Sequence, residues 1–451
     1  MSLGNRLKIF FFFIADVAAL YAALFATLII RYQGEFSRFI TLNTGPFTVV
    51  FIFWIIVFYV AGLYDLRRLR NNIDFVKTLL LCIAVGAAIA AILFYLIPAF
   101  GIAPKTNLLI FIVVFAVIEI FWRRFLNRAM TFGGAPNKIL IVDGDPIGEE
   151  IKKALAENPQ LSYEIKIEIA EAAAYAHPAR IAEAALHEQV NLIIIPRRLK
   201  RESALAAVLY DCFSKGILVS DLVNFYEVIM RKVPLDDLEE AWFLENIENV
   251  GQFYDPLKRA LEFVGALVLL VALLPFEILI ALIIKLTSRG PVFIRQERVG
   301  KLGHTFMLYK FRSMVALAPD GQAETNGAQW SAGSGKDPRI TVFGGILRAS
   351  HLDELPQLVN IIRGDTSFVG PRPERPEIVE KLKKQIPYYE VRLLTVPGVT
   401  GWAQINHRAD RDLADVKQKL QYDVYYLKNR SLVLDAAIIL KTLKSLFVNP
   451  E

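Results

Sequence analysis

The chain has 451 residues, 54% of them hydrophobic and 21% charged, with 51 Lys and Arg against 45 Asp and Glu. The apolar excess excludes a disordered chain and argues against an ordinary fully soluble one, and the length suggests about three domains at roughly 150 residues each. Two cysteines, Cys82 and Cys212, cannot build a disulfide framework, and no paired-cysteine spacing suggests zinc.

Four apolar stretches open the chain. Ile9–Ile30 carries only Asp16, Pro46–Tyr64 and Thr78–Ile97 carry no charge, and Leu108–Trp122 contains Glu119. The last is short against the roughly 20 residues that a membrane span needs. The first is too long for a cleavable signal core and lacks a small-residue cleavage site. Basic residues set the orientation. Arg6 and Lys8 precede the first stretch, Arg67, Arg68, Arg70 and Lys77 separate the second from the third, and Arg123, Arg124 and Arg128 follow the fourth. Both ends of a four-helix unit, residues 1–130, are thus expected in the cytoplasm. Asp16 and Glu119 read as paired or near-interface carboxylates rather than a transport relay, since one acid on each of two helices builds no pathway.

After GGAP (133–136) the pattern changes. KILIV (138–142), YEIKIEI (163–169), NLIII (191–195) and GILVS (216–220) read as strands, with helical stretches between them. This alternation predicts a doubly wound, Rossmann-like parallel sheet over residues 137–250. Gly144 and Gly148 alone do not make the three-glycine loop that lets a backbone approach a pyrophosphate, so a regulatory or structural role is expected here.

A fifth apolar segment, Ala260–Ile284, has Lys258 and Arg259 before it and Lys285, Arg289, Arg295, Arg298 and Lys301 after it. Basic flanks at both ends favour one leaflet for both. Pro275 removes a backbone donor in the middle of the segment. A re-entrant helix with a break near Pro275 is therefore preferred to a fifth crossing.

The C-terminal part, residues 251–451, carries the chemistry. In HLDELPQLVNIIRGD, Asp353 and Glu354 are adjacent carboxylates just before a helix, where Pro356 suits the first turn. Two ionised acids side by side repel, and a divalent cation is a natural third member. GPRPERP puts Arg372 and Arg375 on a proline-stiffened segment, and YKFRSM adds Lys310 and Arg312, which would share one strand face. Carboxylates, a cation and guanidinium groups together suit phosphoryl transfer. Serine–histidine catalysis has no nucleophile elbow to support it.

KFRSM, LDELPQLVNIIRGD, VGPRPERP and PGVTGWAQ follow one another in the order found in the bacterial polyprenyl-phosphate sugar-phosphate transferases, or monotopic phosphoglycosyl transferases, and the chain from about Pro256 to its end resembles that family. Four membrane helices and a Rossmann-like module ahead of the catalytic domain resemble its large, exopolysaccharide form. The resemblance implies an α/β catalytic domain with a re-entrant helix, on the cytoplasmic side of a bacterial inner membrane. It implies transfer of a sugar 1-phosphate from a UDP-sugar to polyprenyl (undecaprenyl) phosphate, with release of UMP. It makes Asp353 the nucleophile, Glu354 a ligand of Mg²⁺, and Arg372, Arg375, Lys310 and Arg312 phosphate contacts. The implied partners are the UDP-sugar, polyprenyl phosphate and the lipid bilayer, with no nucleic acid and with a homo-oligomer left open. The chain departs from smaller members after WAQIN, where HRADRDLAD replaces Gly-Arg-Asn, and at the break, where Leu274-Pro275 replaces Ser-Pro. A dehydratase with a similar front end would need a GxxGxxG cofactor loop, which is absent, and a degenerate scaffold would not need Asp353, Glu354 and Arg372 intact. No residue pattern identifies the sugar.

Overall fold

A computed structural model of the chain describes residues 3–64, 73–97, 105–132, 136–143, 146–161, 163–247, 254–315, 339–407 and 412–448. Arg67, Arg68, Arg70, Gly133, Gly134, Gly144 and residues 408–411 of the HRADRDLAD departure lie outside the described residues. Two compact units divide the chain, Met1–Phe225 and Tyr226–Glu451.

The first unit opens with four long helices, α1 (Leu3–Tyr32), α2 (Phe36–Val60), α3 (Ile73–Leu96) and α4 (Lys105–Phe132). Helix α1 packs on α2 and α4, and α3 packs on the same two, which closes a four-helix ring. Its core is aromatic. Phe111 lies 5.4 Å from Phe47, 5.6 Å from Phe51 and 5.5 Å from Trp54, ring centre to ring centre, and such pairs add about 0.5–1.5 kcal/mol each beyond their burial. Helices α2 and α3 meet where Gly86 faces the Trp54 indole so closely that a Cβ there would overlap the ring.

The rest of this unit is a parallel sheet with helices between its strands. In chain order come β1 (Asn137–Asp143), α5 (Pro146–Glu157), β2 (Tyr163–Ala170), α6 (Glu171–Ala176), α7 (Ala179–His187), β3 (Leu192–Ile195), α8 (Arg197–Lys200), α9 (Ser203–Ser214) and β4 (Leu218–Asp221). The strand order is β2-β1-β3-β4, all parallel. The central runs Ile139–Val142 and Ile193–Ile195 are fully buried, as strands covered on both faces must be. Edge strand β2 alternates instead and turns Lys166 and Glu168 toward its more open side, a charge pattern that discourages further strand addition.

Helix α10 (Leu222–Met230) crosses into the second unit, followed by α11 (Glu240–Ile247). Residues 226–247, assigned by sequence to the middle domain, bond to the C-terminal part. Glu227 binds Lys428 and Asn429, and Val233 N donates to Gln421 O.

Helix α12 (Tyr254–Thr287) then runs for 34 residues with Pro275 inside it. The expected interruption is thus not a break in the helix. Proline deletes one N–H in the ladder, and the turns on either side keep theirs, so a long apolar helix can pass through it. After α12 come the hairpin β5 (Phe293–Val299) and β6 (Thr305–Phe311), α13 (Val342–Ala349), α14 (Gln357–Arg363), β7 (Ser367–Val369), α15 (Pro376–Gln385), β8 (Gly398–Thr400), α16 (Trp402–Asn406), α17 (Leu413–Asn429) and α18 (Leu432–Val448). Strands β5 and β6 are antiparallel, and β7 and β8 form a short parallel pair.

Among the described residues, four helices are long and apolar enough to cross a membrane: α1, α2, α3 and α12. The set differs from the one expected, with α12 in place of α4, which carries Glu119, Arg123, Arg124 and Arg128 along its second half.

Gly86→Ala should lower the thermal unfolding midpoint of the detergent-solubilised protein, at an overpacking cost of about 1–3 kcal/mol. Gly45→Ala, in α2 with open space around it, should leave the midpoint unchanged or raise it slightly.

Candidate active site

Asp353 and Glu354 lie in a single 3-10 turn, Leu352–Glu354, between α13 and α14. The chain enters this turn through His351, held in the left-handed region at φ 55°. A residue with a Cβ is costly there, by about 1–3 kcal/mol, and the surroundings must enforce it. The turn buries the Asp353 side chain and half-buries Glu354. Asn360 fixes the segment from behind. Its side chain donates to Met307 O at 2.8 Å, accepts from Tyr309 N at 3.1 Å, and donates to Asp365 at 3.1 Å. These bonds stitch α14 to β6 and set Lys310 against the acidic turn.

Lys310 Nζ donates to Glu354 Oε1 at 2.7 Å, and Arg372 Nη2 donates to the same oxygen at 3.0 Å. Burial alone would raise the Glu354 pKa, but Arg372 and Lys310 together hold it at about 2. Asp353 is treated differently. Burial holds its carboxyl above the ordinary value; Lys310 opposes that shift and the neighbouring Glu354 charge reinforces it. Two adjacent carboxyls therefore have separate proton affinities, one firmly ionised and one poised higher.

Arg372 reaches Glu354 from a segment whose carbonyls are held one after another. Val369 O accepts from Lys258 Nζ at 2.8 Å and Tyr426 Oη at 3.1 Å. Arg372 O accepts from Arg392 Nη2 at 2.9 Å, and Glu374 O from Val299 N at 2.9 Å. Buried Arg392 also pairs with Asp423 at 3.0 Å, and the Glu374 carboxylate takes Lys419 at 2.8 Å. Gly370 lets the segment pass β8, because a Cβ there would sit 2.5 Å from Val396 O.

The other two predicted phosphate contacts are not brought into this cluster by their described bonds. Arg312 lies just past the end of β6, is buried, and donates to Arg289 O at 2.7 Å and to Ser288 O at 2.9 Å. It covers carbonyls at the C-terminal end of α12, where a cation is favoured. Arg375 stands at the N-cap of α15, its carbonyl taken by Ile378 N and Val379 N. Trp402 is core, with its indole N–H on Arg231 O at 3.0 Å and Tyr425 stacked at 5.6 Å. Pro275 sits inside α12 among exposed apolar neighbours.

Residues 253–449 match the family described as bacterial sugar transferase. The chain is 40% identical, over 42% of its own length and 94% of the relative's, to an exopolysaccharide production protein PSS of Rhizobium leguminosarum bv. phaseoli. The chain belongs to the bacterial sugar transferase family. It is also 35% identical to a UDP-N-acetylgalactosamine-undecaprenyl-phosphate N-acetylgalactosaminephosphotransferase of Aeromonas hydrophila, over 52% of this chain and 53% of that protein. A UDP-glucose:undecaprenyl-phosphate glucose-1-phosphate transferase of Xanthomonas campestris pv. campestris is 41% identical over 57% of this chain and 50% of its own. The chain thus spans about half the length of these last two relatives.

Within the sugar transferase module, the structure brings together Asp353, Glu354, Lys310 and Arg372, which the sequence singles out, and supports them with Asn360 and Arg392, which it does not. Both of the latter sit in apolar or mixed stretches, and only their burial with several bonds reveals a role. Among the described residues, no group of three or more His, Cys, Asp or Glu side chains is placed to hold a metal ion by itself. A divalent cation would thus need the Asp353–Glu354 pair together with oxygens of a bound phosphate, which suits Mg²⁺.

Asn360→Ala strands Tyr309 N and Met307 O, each at about 1–3 kcal/mol if left unpaired. The variant should melt earlier than wild type and lose turnover in proportion to the loosened Lys310–Glu354 contact. Circular dichroism melts and turnover on the purified protein check this.

Proposed function

We propose that this chain transfers a sugar 1-phosphate from a UDP-sugar to undecaprenyl phosphate, releasing UMP through a covalent aspartyl phosphosugar on Asp353, as an initiating step in making an exopolysaccharide or related glycan. The observation that carries this reading is the buried Asp353 carboxyl beside a Glu354 whose charge is held by Lys310 and Arg372. The substrates are those for which the relatives are named.

In the first half-reaction an Asp353 oxygen attacks the phosphorus that bears the sugar. The bond from that phosphorus to the bridging oxygen breaks, and UMP leaves with the electron pair. In the second, a phosphate oxygen of the lipid attacks the same phosphorus, and the Asp353 carboxylate is released. This splits one difficult transfer into two easier ones. Arg372, on its rigid segment, orients the phosphate, and Lys310 favours the ionised form of Asp353. When all are ionised, Lys310, Arg372, Glu354 and Asp353 sum to no net charge. A diphosphate therefore needs further positive charge, which Mg²⁺ held by Glu354 would supply. Arg375 lies near enough along the chain to meet the same substrate, whereas Arg312 serves the membrane helix.

The location of α12 supports a re-entrant anchor. Lys258, Arg259 and Glu262 in its first turns bind Val369 O, Ile362 O and Ser367 Oγ. Ile280 and Ile284 near its other end pack with Phe311 and Leu347, and Ser288 just beyond meets Arg312. Both ends are therefore tied to one module, and the apolar stretch between them is largely exposed, from Leu267 to Leu279. A helix tied at both ends to a polar module favours dipping into one leaflet over crossing the bilayer. That leaflet would be the cytoplasmic face of the bacterial inner membrane, where a nucleotide sugar and a lipid phosphate meet. The β2-β1-β3-β4 sheet fits a Rossmann-like domain with a regulatory or structural role.

Purified full-length protein given undecaprenyl phosphate, Mg²⁺ and a panel of UDP-sugars should release UMP with one sugar preferred. Asp353→Asn should abolish UMP release and the trapping of radiolabelled sugar phosphate on protein. Retained turnover in that variant would falsify the nucleophile assignment.

The pH dependence has a definite sign. Asp353 attacks only when ionised, and burial raises its proton affinity. Activity should thus fall with decreasing pH at values above the ordinary carboxyl range. Lys310→Met removes a charge that favours the ionised form and should move that acid limb higher still in a rate-versus-pH profile.

A further inference from the structure

Outside the sugar transferase module, a second cluster of charges is buried within the four-helix ring. Asp16 lies on α1, Glu119 and Arg123 on α4, and Tyr64 just beyond the end of α2. The Asp16, Glu119 and Arg123 side chains have no solvent exposure. Arg123 Nε donates to Glu119 Oε1 at 2.9 Å, Nη1 donates to Leu63 O at 2.8 Å, and Nη2 donates to Asp16 Oδ2. The rings of Phe12, Phe58 and Tyr64 lie 5.3, 5.8 and 5.2 Å from the guanidinium. One cation thus faces two carboxyls in apolar surroundings.

The remaining polar atoms are unmatched. Asp16 Oδ1, Glu119 Oε2 and the Tyr64 hydroxyl are buried without a hydrogen-bond partner of ordinary geometry, although Asp16 interacts directly with both Glu119 and Tyr64. With both acids ionised, the cluster would carry one uncompensated negative charge among phenyl rings, a state too costly to persist. One more positive charge is needed, and three orphaned oxygens are too few for a metal cation that takes about six.

We infer that the cluster is a proton-binding site, in which one proton resides on the Asp16–Glu119 pair, makes the cluster neutral and bridges two of the orphaned oxygens. The titratable and charged groups facing it are Asp16 from α1, Glu119 and Arg123 from α4, and Tyr64 beside α2. Because Arg123 also holds Leu63 O, the proton ties α1, α4 and the end of α2 into one arrangement. The inference does not depend on the reaction assigned to the C-terminal module.

The test uses full-length protein in lipid nanodiscs and follows thermal unfolding from pH 6 to 9. A native state holding one proton more than the unfolded chain loses stability as pH rises. Wild type should therefore melt lower toward pH 9. At least one of Glu119→Gln and Asp16→Asn should keep the wild-type midpoint at pH 6 and flatten that decline. The double variant, which leaves Arg123 without a counter-charge, should melt lower by about 5 °C or more. Both single variants melting as low as the double would show that two full negative charges are needed, and would overturn the inference. So would a pH-independent wild type, or a wild-type midpoint that rises when sodium replaces choline at fixed ionic strength.

Discussion

Glu354 Oε1 carries two cations at once, and the rest of the catalytic unit is arranged around that oxygen. A half-buried carboxylate beside a buried carboxyl is tolerable only with such compensation, and the two donors come from different places, Lys310 from strand β6 and Arg372 from the segment after β7. Neither donor could hold its geometry alone on a long flexible side chain. Asn360 fixes the separation of β6 and α14, and the carbonyls of Val369, Arg372 and Glu374 are each held from behind. Much of the module's buried polar material is thus a frame for one ion triad. Such a frame reduces the reorganisation needed when charge moves at a neighbouring group.

The same frame extends into the apolar helix. Lys258, Arg259 and Arg312 lie at the ends of α12, where basic residues are expected from membrane topology alone. Each also makes a specific bond. Lys258 holds Val369 O next to the Arg372 segment, Arg259 holds the carbonyls of Ile361 and Ile362 that end α14, and Arg312 holds the carbonyls beyond Thr287. Seating α12 in its surroundings and ordering the Arg372 segment therefore share residues. A perturbation of the helix ends would be felt at Arg372 through two or three bonds.

The four strands of the parallel sheet, the four long helices and the acidic turn are legible in the sequence because each rests on local pattern: continuous apolar runs, a change of period, or a dipeptide before a helix start. What escaped depended on direction in space. Lys310 and Arg312 alternate, so a strand would put them on one face, but β6 ends at Phe311 and the Arg312 side chain is taken by the carbonyls of Ser288 and Arg289. Pro275 suggests a break because proline removes a donor, yet one missing bond in 34 residues does not end a helix. Arg123 stands with Arg124 and Arg128 in a basic flank along the sequence, and the helical phase turns it inward instead. Asn360 and Arg392 have no local signature, since a polar residue in a helix or an extended run says nothing about bonds 20 to 50 residues away.

The two buried ion clusters differ in how their charge is completed. In the sugar transferase module two cations face two acids, so the set is neutral with Asp353 ionised. In the helical ring one cation faces two acids, and the surroundings are phenyl rings rather than an accessible turn. Ionised balance is reachable in the first and not in the second. An active site needs a carboxylate that can lose its proton to act. A helix seam needs one that keeps it, because a permanently neutral, hydrogen-bonded pair fixes helix register without leaving a charge in an apolar core.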